Sequence, residues 1–104
     1  MPNLLPAVPL ANLKPGEVVA VEVGGLFLAL YLVDGQPFCT EGMCSHEGLP
    51  ISDSGWVDGD EVQCPWHGAR FNVKTGAVAA PPAEYPLRTF PVELLDGYVH
   101  IDVG

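Results

Sequence analysis

The chain has 104 residues, 48% of them hydrophobic, and carries 13 acids against 4 Lys and Arg, for a formal net charge of −9. That is too apolar for a disordered chain and short enough that residues 1–104 read as a single domain. So few cations exclude binding to a phosphate backbone, and with it nucleic acid, and an acidic surface of this strength suits partners with basic faces.

The first ten residues, MPNLLPAVPL, hold three prolines and no basic residue, so no targeting signature is present. The 12 glycines and 11 prolines are spread so evenly that Leu26–Asp34 is the longest stretch free of both. Helices average about 11–12 residues, which leaves no room for an ordinary one, and an all-β fold is expected. Glu17–Val23 reads as a strand, Gly24-Gly25 as a tight turn, and Leu26–Val33 as a strand buried on both faces. That apolar run is far below the roughly 20 residues of a membrane span, so no membrane partner is expected. Asp34-Gly35 turns into a strand at Pro37–Thr40. Short strands follow at Glu61–Cys64 and Ala69–Val73, then a turn at Lys74-Thr75-Gly76. Leu87–Leu94 and Tyr98–Val103 close the chain as a hairpin around Asp96-Gly97. Many short strands broken by turns indicate an antiparallel β-sandwich or barrel.

Chemistry concentrates in two segments. CSHEGLP holds Cys44 and His46, and CPWHGARF holds Cys64 and His67. Thiolate and neutral imidazole both ligate zinc, iron and copper. Zinc fingers usually draw like ligands from one segment, whereas here each segment offers one of each kind. Two irons bridged by sulfide suit that division, with the cysteines on one iron and the histidines on the other. The third cysteine, Cys39, beside Phe38 in a strand, reads as a small buried hydrophobe. An odd cysteine count argues against a disulfide framework and for a reducing, cytoplasmic setting. Of the remaining aromatic and titratable residues, His100 reads as a half-exposed strand residue, Trp66 as docking surface and Trp56 as core.

The pattern C-x-H followed by C-x-x-H resembles the Rieske [2Fe–2S] family. Gly48-Leu49-Pro50, Gly68-Ala69-Arg70-Phe71-Asn72 and Lys74-Thr75-Gly76 agree with that likeness, as does the last hairpin, and it runs from about Leu4 to Val103. It implies a Rieske-type β-sandwich or barrel with a small cluster-binding subdomain of two Cys/His loops, about residues 40–82. It implies one [2Fe–2S] cluster per chain, held by Cys44, His46, Cys64 and His67, with Ala80-Pro81-Pro82-Ala83 covering it. The histidine-bound iron would lie near the surface and take the electron. The most similar group is the ferredoxins of bacterial ring-hydroxylating dioxygenases. These pass electrons from a flavin-dependent, NAD(P)H-driven reductase to a terminal oxygenase and convert no substrate themselves. No G-x-G-x-x-G is present for a nicotinamide or flavin of its own. Other readings are the small Rieske subunit of an assimilatory nitrite reductase, a zinc-bound interaction module, and a ferredoxin serving another monooxygenase.

The residues around the ligands set the expected potential. Hydrogen bonds to cluster sulfurs stabilise the reduced state. High-potential members of the family carry hydroxyl donors where Ala69 and Phe71 stand, and a disulfide between the loops that Glu47 and Trp66 cannot make. Six acids and no base fall between Glu41 and Glu61, which disfavours an added electron. An EPR-monitored redox titration should give a midpoint on the order of −150 mV, the low end of the Rieske range.

Overall fold

The computed structural model describes residues 4–43, 51, 55–63, 69–80 and 86–103. They form eleven strands in three antiparallel sheets. One sheet holds β1 (Leu4–Pro9), β11 (Tyr98–Asp102) and β10 (Val92–Leu95) in that order. A second runs β2 (Val18–Val23), β3 (Leu26–Val33), β4 (Gln36–Glu41), β9 (Thr89–Phe90). The third is β5 (Trp56–Asp58), β6 (Glu61–Gln63), β7 (Arg70–Asn72), β8 (Val78–Ala80). Among the described residues, 3-10 conformation occurs at Leu10–Asn12 and at Ile51, and no helix is long and apolar enough to cross a membrane. The expected strands are present within a residue or two at most ends. The exception is Leu87–Leu94, which Pro91 divides: β9 pairs with β4, and β10 pairs with β11 in another sheet. Strands β1, β5 and β8 were not expected. They are short or proline-bearing, and pairing with longer neighbours rather than local propensity makes them strands.

Three of the four two-residue turns follow from backbone sterics; the fourth, Gly59-Asp60, has positive φ at its glycine alone. Gly24-Gly25, Asp34-Gly35 and Asp96-Gly97 all have positive φ at both positions, the geometry whose twist matches flanking antiparallel strands.

β3 is shared between two cores, because its side chains alternate across the middle sheet. Leu28 and Leu30 point into a cluster with Val23, Cys39, Phe90, Val99 and Ile101. Ala29, Tyr31 and Val33 point the other way, to Ile51, Val62, Ala69, Phe71, Val73 and Leu87. The same parity corrects the expectation for Trp56. In β5, Val57 opposes Val62 and packs on the core, so Trp56, opposite Gln63, faces outward and is 45% exposed. His100 is half-buried, as expected, with Nδ1 3.0 Å from the Tyr98 carbonyl.

The middle sheet is left and rejoined at one point. The N–H of Glu41, which ends β4, donates to the Arg88 carbonyl (2.8 Å), and the Arg88 N–H donates to Glu41 Oε1 (2.9 Å). Residues 42–87 are thus an excursion from a neck closed by these two bonds. Gly76 pins the excursion from inside. Its carbonyl accepts from the Leu87 N–H (2.8 Å), and at φ +79 an added Cβ would sit 1.9 Å from the Leu87 carbonyl oxygen.

Cys39 is the buried hydrophobe its setting indicates, 2% exposed and opposite Leu30 and Phe90. Desolvation pushes its thiol from 9.0 up to about 12. The folded protein therefore keeps a proton that the unfolded chain loses first, so this contribution to stability is whole below pH 9.0 and falls as pH rises towards about 12. Urea denaturation from pH 8 to 10.5 should show the parent losing stability faster than Cys39→Ala, by a difference approaching about 1.4 kcal/mol per pH unit.

Candidate metal centre

The candidate ligands Cys44, His46, Cys64 and His67 lie outside the described residues, as do Glu47, Trp66 and residues 81–85 of the proline-rich stretch. Among the described residues no group of three or more His, Cys, Asp and Glu could hold a metal ion. What the structure places is the frame from which the ligand segments spring.

Residues 44–50 are bracketed by Gly42 and Ile51. The Gly42 N–H donates to the Phe27 carbonyl (3.0 Å), and its carbonyl accepts from the Ile51 N–H (2.9 Å). A Cβ on Gly42 would lie 2.4 Å from Phe27 Cδ2 and 3.1 Å from the Leu28 carbonyl carbon, so a larger residue there would have to displace the Phe27 ring. Residues 64–68 are bracketed by Gln63 and Arg70, which are partners in the β6–β7 ladder, with Ala69 just inside the pair. The two brackets meet at Gly55. Its N–H donates to the Ile51 carbonyl (2.8 Å), and an added Cβ would lie 2.4 Å from that oxygen and 3.2 Å from the Gln63 carbonyl oxygen.

Register brings a third segment to the same end. Trp56 opposes Gln63, Gln63 opposes Arg70, and Arg70 opposes Ala80, so these four form one row across the last sheet. Residues 52–54, 64–68 and 81–85 all adjoin this row. Beneath it Ile51, Val62, Ala69 and Phe71 are fully buried and in one cluster, so the roots of both ligand segments rest on a single apolar floor. Close packing of that kind holds a site to sub-ångström tolerances.

The cations belong to this scaffold. Arg70 Nη2 donates to Asp58 Oδ2 (3.3 Å) across the sheet. Its Nε is 2.9 Å from Glu61 Oε1, an ion-pair contact without the angle of a hydrogen bond. Lys74 lies 3.3 Å from Asp60 and over the Phe38 ring, and Arg88 lies over the Phe90 ring at 4.8 Å. Three of the four cations are thus engaged within the fold. Sequence reasoning missed Gly55, Ile51 and the Glu41–Arg88 neck. Gly42 and Gly55, glycines at no obvious turn, were the available signal for the crowding.

A donor set of two thiolates and two imidazoles fits a mixed-ligand iron–sulfur cluster, and two segments sprung from adjacent roots fit one shared centre. Comparison with known proteins agrees. Residues 3–91 match the Rieske [2Fe–2S] domain. The chain belongs to the Rieske [2Fe–2S] family and, within it, to the Rieske-type ferredoxins, and its cofactor is a Rieske-type [2Fe–2S] cluster. It is 42% identical over 94 residues to the ferredoxin component of the p-cumate 2,3-dioxygenase system of Pseudomonas putida, covering 89% of this chain and 80% of that one. It is 38% identical over 98 residues to the ferredoxin component of the naphthalene 1,2-dioxygenase system of the same species, covering 94% and 93%. Among solved structures, a ferredoxin of Sphingomonas yanoikuyae B1 superposes with a TM-score of 0.91 at 41% identity, over 98% of this chain and 100% of that one.

Gly55→Ala should part the two roots. We expect iron to be lost to a chelator several-fold faster than from the parent, followed by bleaching of the visible absorption, while the far-UV β spectrum is retained.

Proposed function

We propose that Cys44 and Cys64 hold one iron of the cluster, and His46 and His67 the other. The chain is an electron carrier and converts no substrate of its own. When bound, the cluster supplies reversible one-electron transfer at a fixed potential. The polypeptide's part is to bring four donors to one end of a stiff sheet. Neutral imidazole donates less charge than thiolate, so the histidine pair marks the iron that gains the electron. What supports this reading is the Cys/His quartet of the sequence together with a frame in which Ile51 and Gln63, the residues next to the two segments, are joined through Gly55.

A ferredoxin 38% identical to this chain has been solved in complex with the oxygenase of carbazole 1,9a-dioxygenase, with a TM-score of 0.86 over 95% of this chain and 92% of that one. By that likeness, this chain meets a terminal oxygenase of the aromatic-ring dioxygenase type. A flavin-dependent reductase would charge it, both partners presenting basic faces to its acidic surface. The setting would be the cytoplasm. We read residues 1–104 as one domain, since Val99 and Ile101, beyond the matched 3–91, fill the core behind β3. Neither the nitrite reductase subunit nor the zinc module is favoured by the relatives found.

The test is EPR of the dithionite-reduced protein, with iron and acid-labile sulfide measured on the same sample. We expect two irons per chain and a rhombic S = ½ signal with average g below that of all-cysteine clusters. His67→Cys should abolish assembly or move the spectrum towards the all-cysteine type. Zinc without iron would overturn the carrier reading, and an unchanged His67→Cys spectrum would remove His67 from the ligands.

A further inference from the structure

Among the described residues, the core that holds Ile51 and Ala69 is apolar except at one place. Tyr31 and Thr40 are both 0% exposed, and their hydroxyl oxygens are 2.8 Å apart. They are diagonal neighbours on one face of the middle sheet, where Tyr31 opposes Phe38 and Ala29 opposes Thr40. Thr40 Oγ1 also donates to the Glu41 carbonyl at 2.8 Å. A threonine hydroxyl has one hydrogen, and a carbonyl can only accept. The direction is therefore settled: Tyr31 donates to Thr40, and Thr40 donates to Glu41. Hydrogen bonds aligned head to tail polarise and strengthen one another.

Both ends of this relay matter for the cluster. At one end, the Tyr31 ring packs in the cluster containing Ile51 and Ala69, where residues 44–50 and 64–68 join the frame. At the other end, Glu41 is three residues before Cys44 and carries the neck to Arg88. Packing alone does not require these hydroxyls, because phenylalanine and valine have nearly the shapes of tyrosine and threonine. We propose that the buried relay Tyr31–Thr40–Glu41 is a positioning strut for the cluster. It holds the root of the first ligand segment at a fixed height above the apolar floor, and so sets how firmly the cluster is retained. This rests on the ligand assignment above.

The test uses the holoprotein and three variants: Thr40→Val, Tyr31→Phe and Thr40→Ser. Leu30→Val serves as control, since Leu30 lies on the opposite face of the same sheet, in the other core. Each is scored for iron release to a chelator, for EPR line shape and for urea denaturation. An unsatisfied buried hydroxyl or carbonyl weakens the state that holds it, so we expect Thr40→Val to release iron about five- to tenfold faster, with broadened g features. Tyr31→Phe should show a smaller change in the same direction, and Thr40→Ser should stay near the parent. Leu30→Val should lower the urea midpoint while leaving iron release and line shape unchanged. Parent-like release and line shape in Thr40→Val and Tyr31→Phe would overturn the strut. So would equally fast release from Leu30→Val, which would reduce the effect to global stability. A parent that assembles no iron–sulfur cluster would instead overturn the assignment on which the strut rests.

Discussion

A two-segment metal site depends on keeping two chain roots at a fixed separation, and here that separation is imposed by β3. Seven of its eight residues divide between two cores. Leu28 and Leu30 bind the middle sheet to the β1–β11–β10 sheet, while Ala29, Tyr31 and Val33 bind it to the sheet that carries the roots. Burial of this kind is non-directional and worth about 25 cal/mol per Å² of apolar surface, so it sets the distance between layers without setting fine geometry. The fine geometry comes from directional bonds at Gly42, Ile51 and Gly55, and from van der Waals limits that at Gly55 only glycine satisfies.

The charge distribution follows from the same frame. Arg70, Lys74 and Arg88 are held against acids or aromatic rings of the scaffold, which leaves the acidic surplus to dominate the field outside. Such a field speeds encounter with a basic partner and is screened by salt. Surface ion pairs of this sort add little stability, so their interest is in where they keep positive charge.

Much of this was legible in the sequence, for identifiable reasons. Gly and Pro spacing excludes long helices. Asp-Gly and Gly-Gly pairs mark turns with positive φ, and an unbroken apolar run marks a strand with a core on each side. The Cys/His quartet was legible as a candidate ligand set, since Cys and His paired at that spacing have few other uses. What could not be read depends on pairing between distant residues. The outward face of Trp56 follows from its register with Gln63, and β8 exists because β7 offers it an edge. Pro91 appears from sequence as one residue of a strand, and only the sheets show it as the corner between two of them. The neck joins Glu41 and Arg88 across 47 positions, which no local pattern announces.

That neck has a consequence for how such proteins can be altered. The chain leaves the middle sheet at Glu41 and returns beside it at Arg88, so everything between is a detour whose ends already touch. Closing a loop costs entropy that rises only slowly with its length. A detour of another length, bearing other donors, could therefore be spliced at the same two residues, provided it lays an apolar face on Ala29, Tyr31 and Val33 as Ile51, Val62, Phe71 and Leu87 now do. The fold is in this sense a socket whose insert can be exchanged only together with the core it fills, and such an exchange offers a route to a different redox centre.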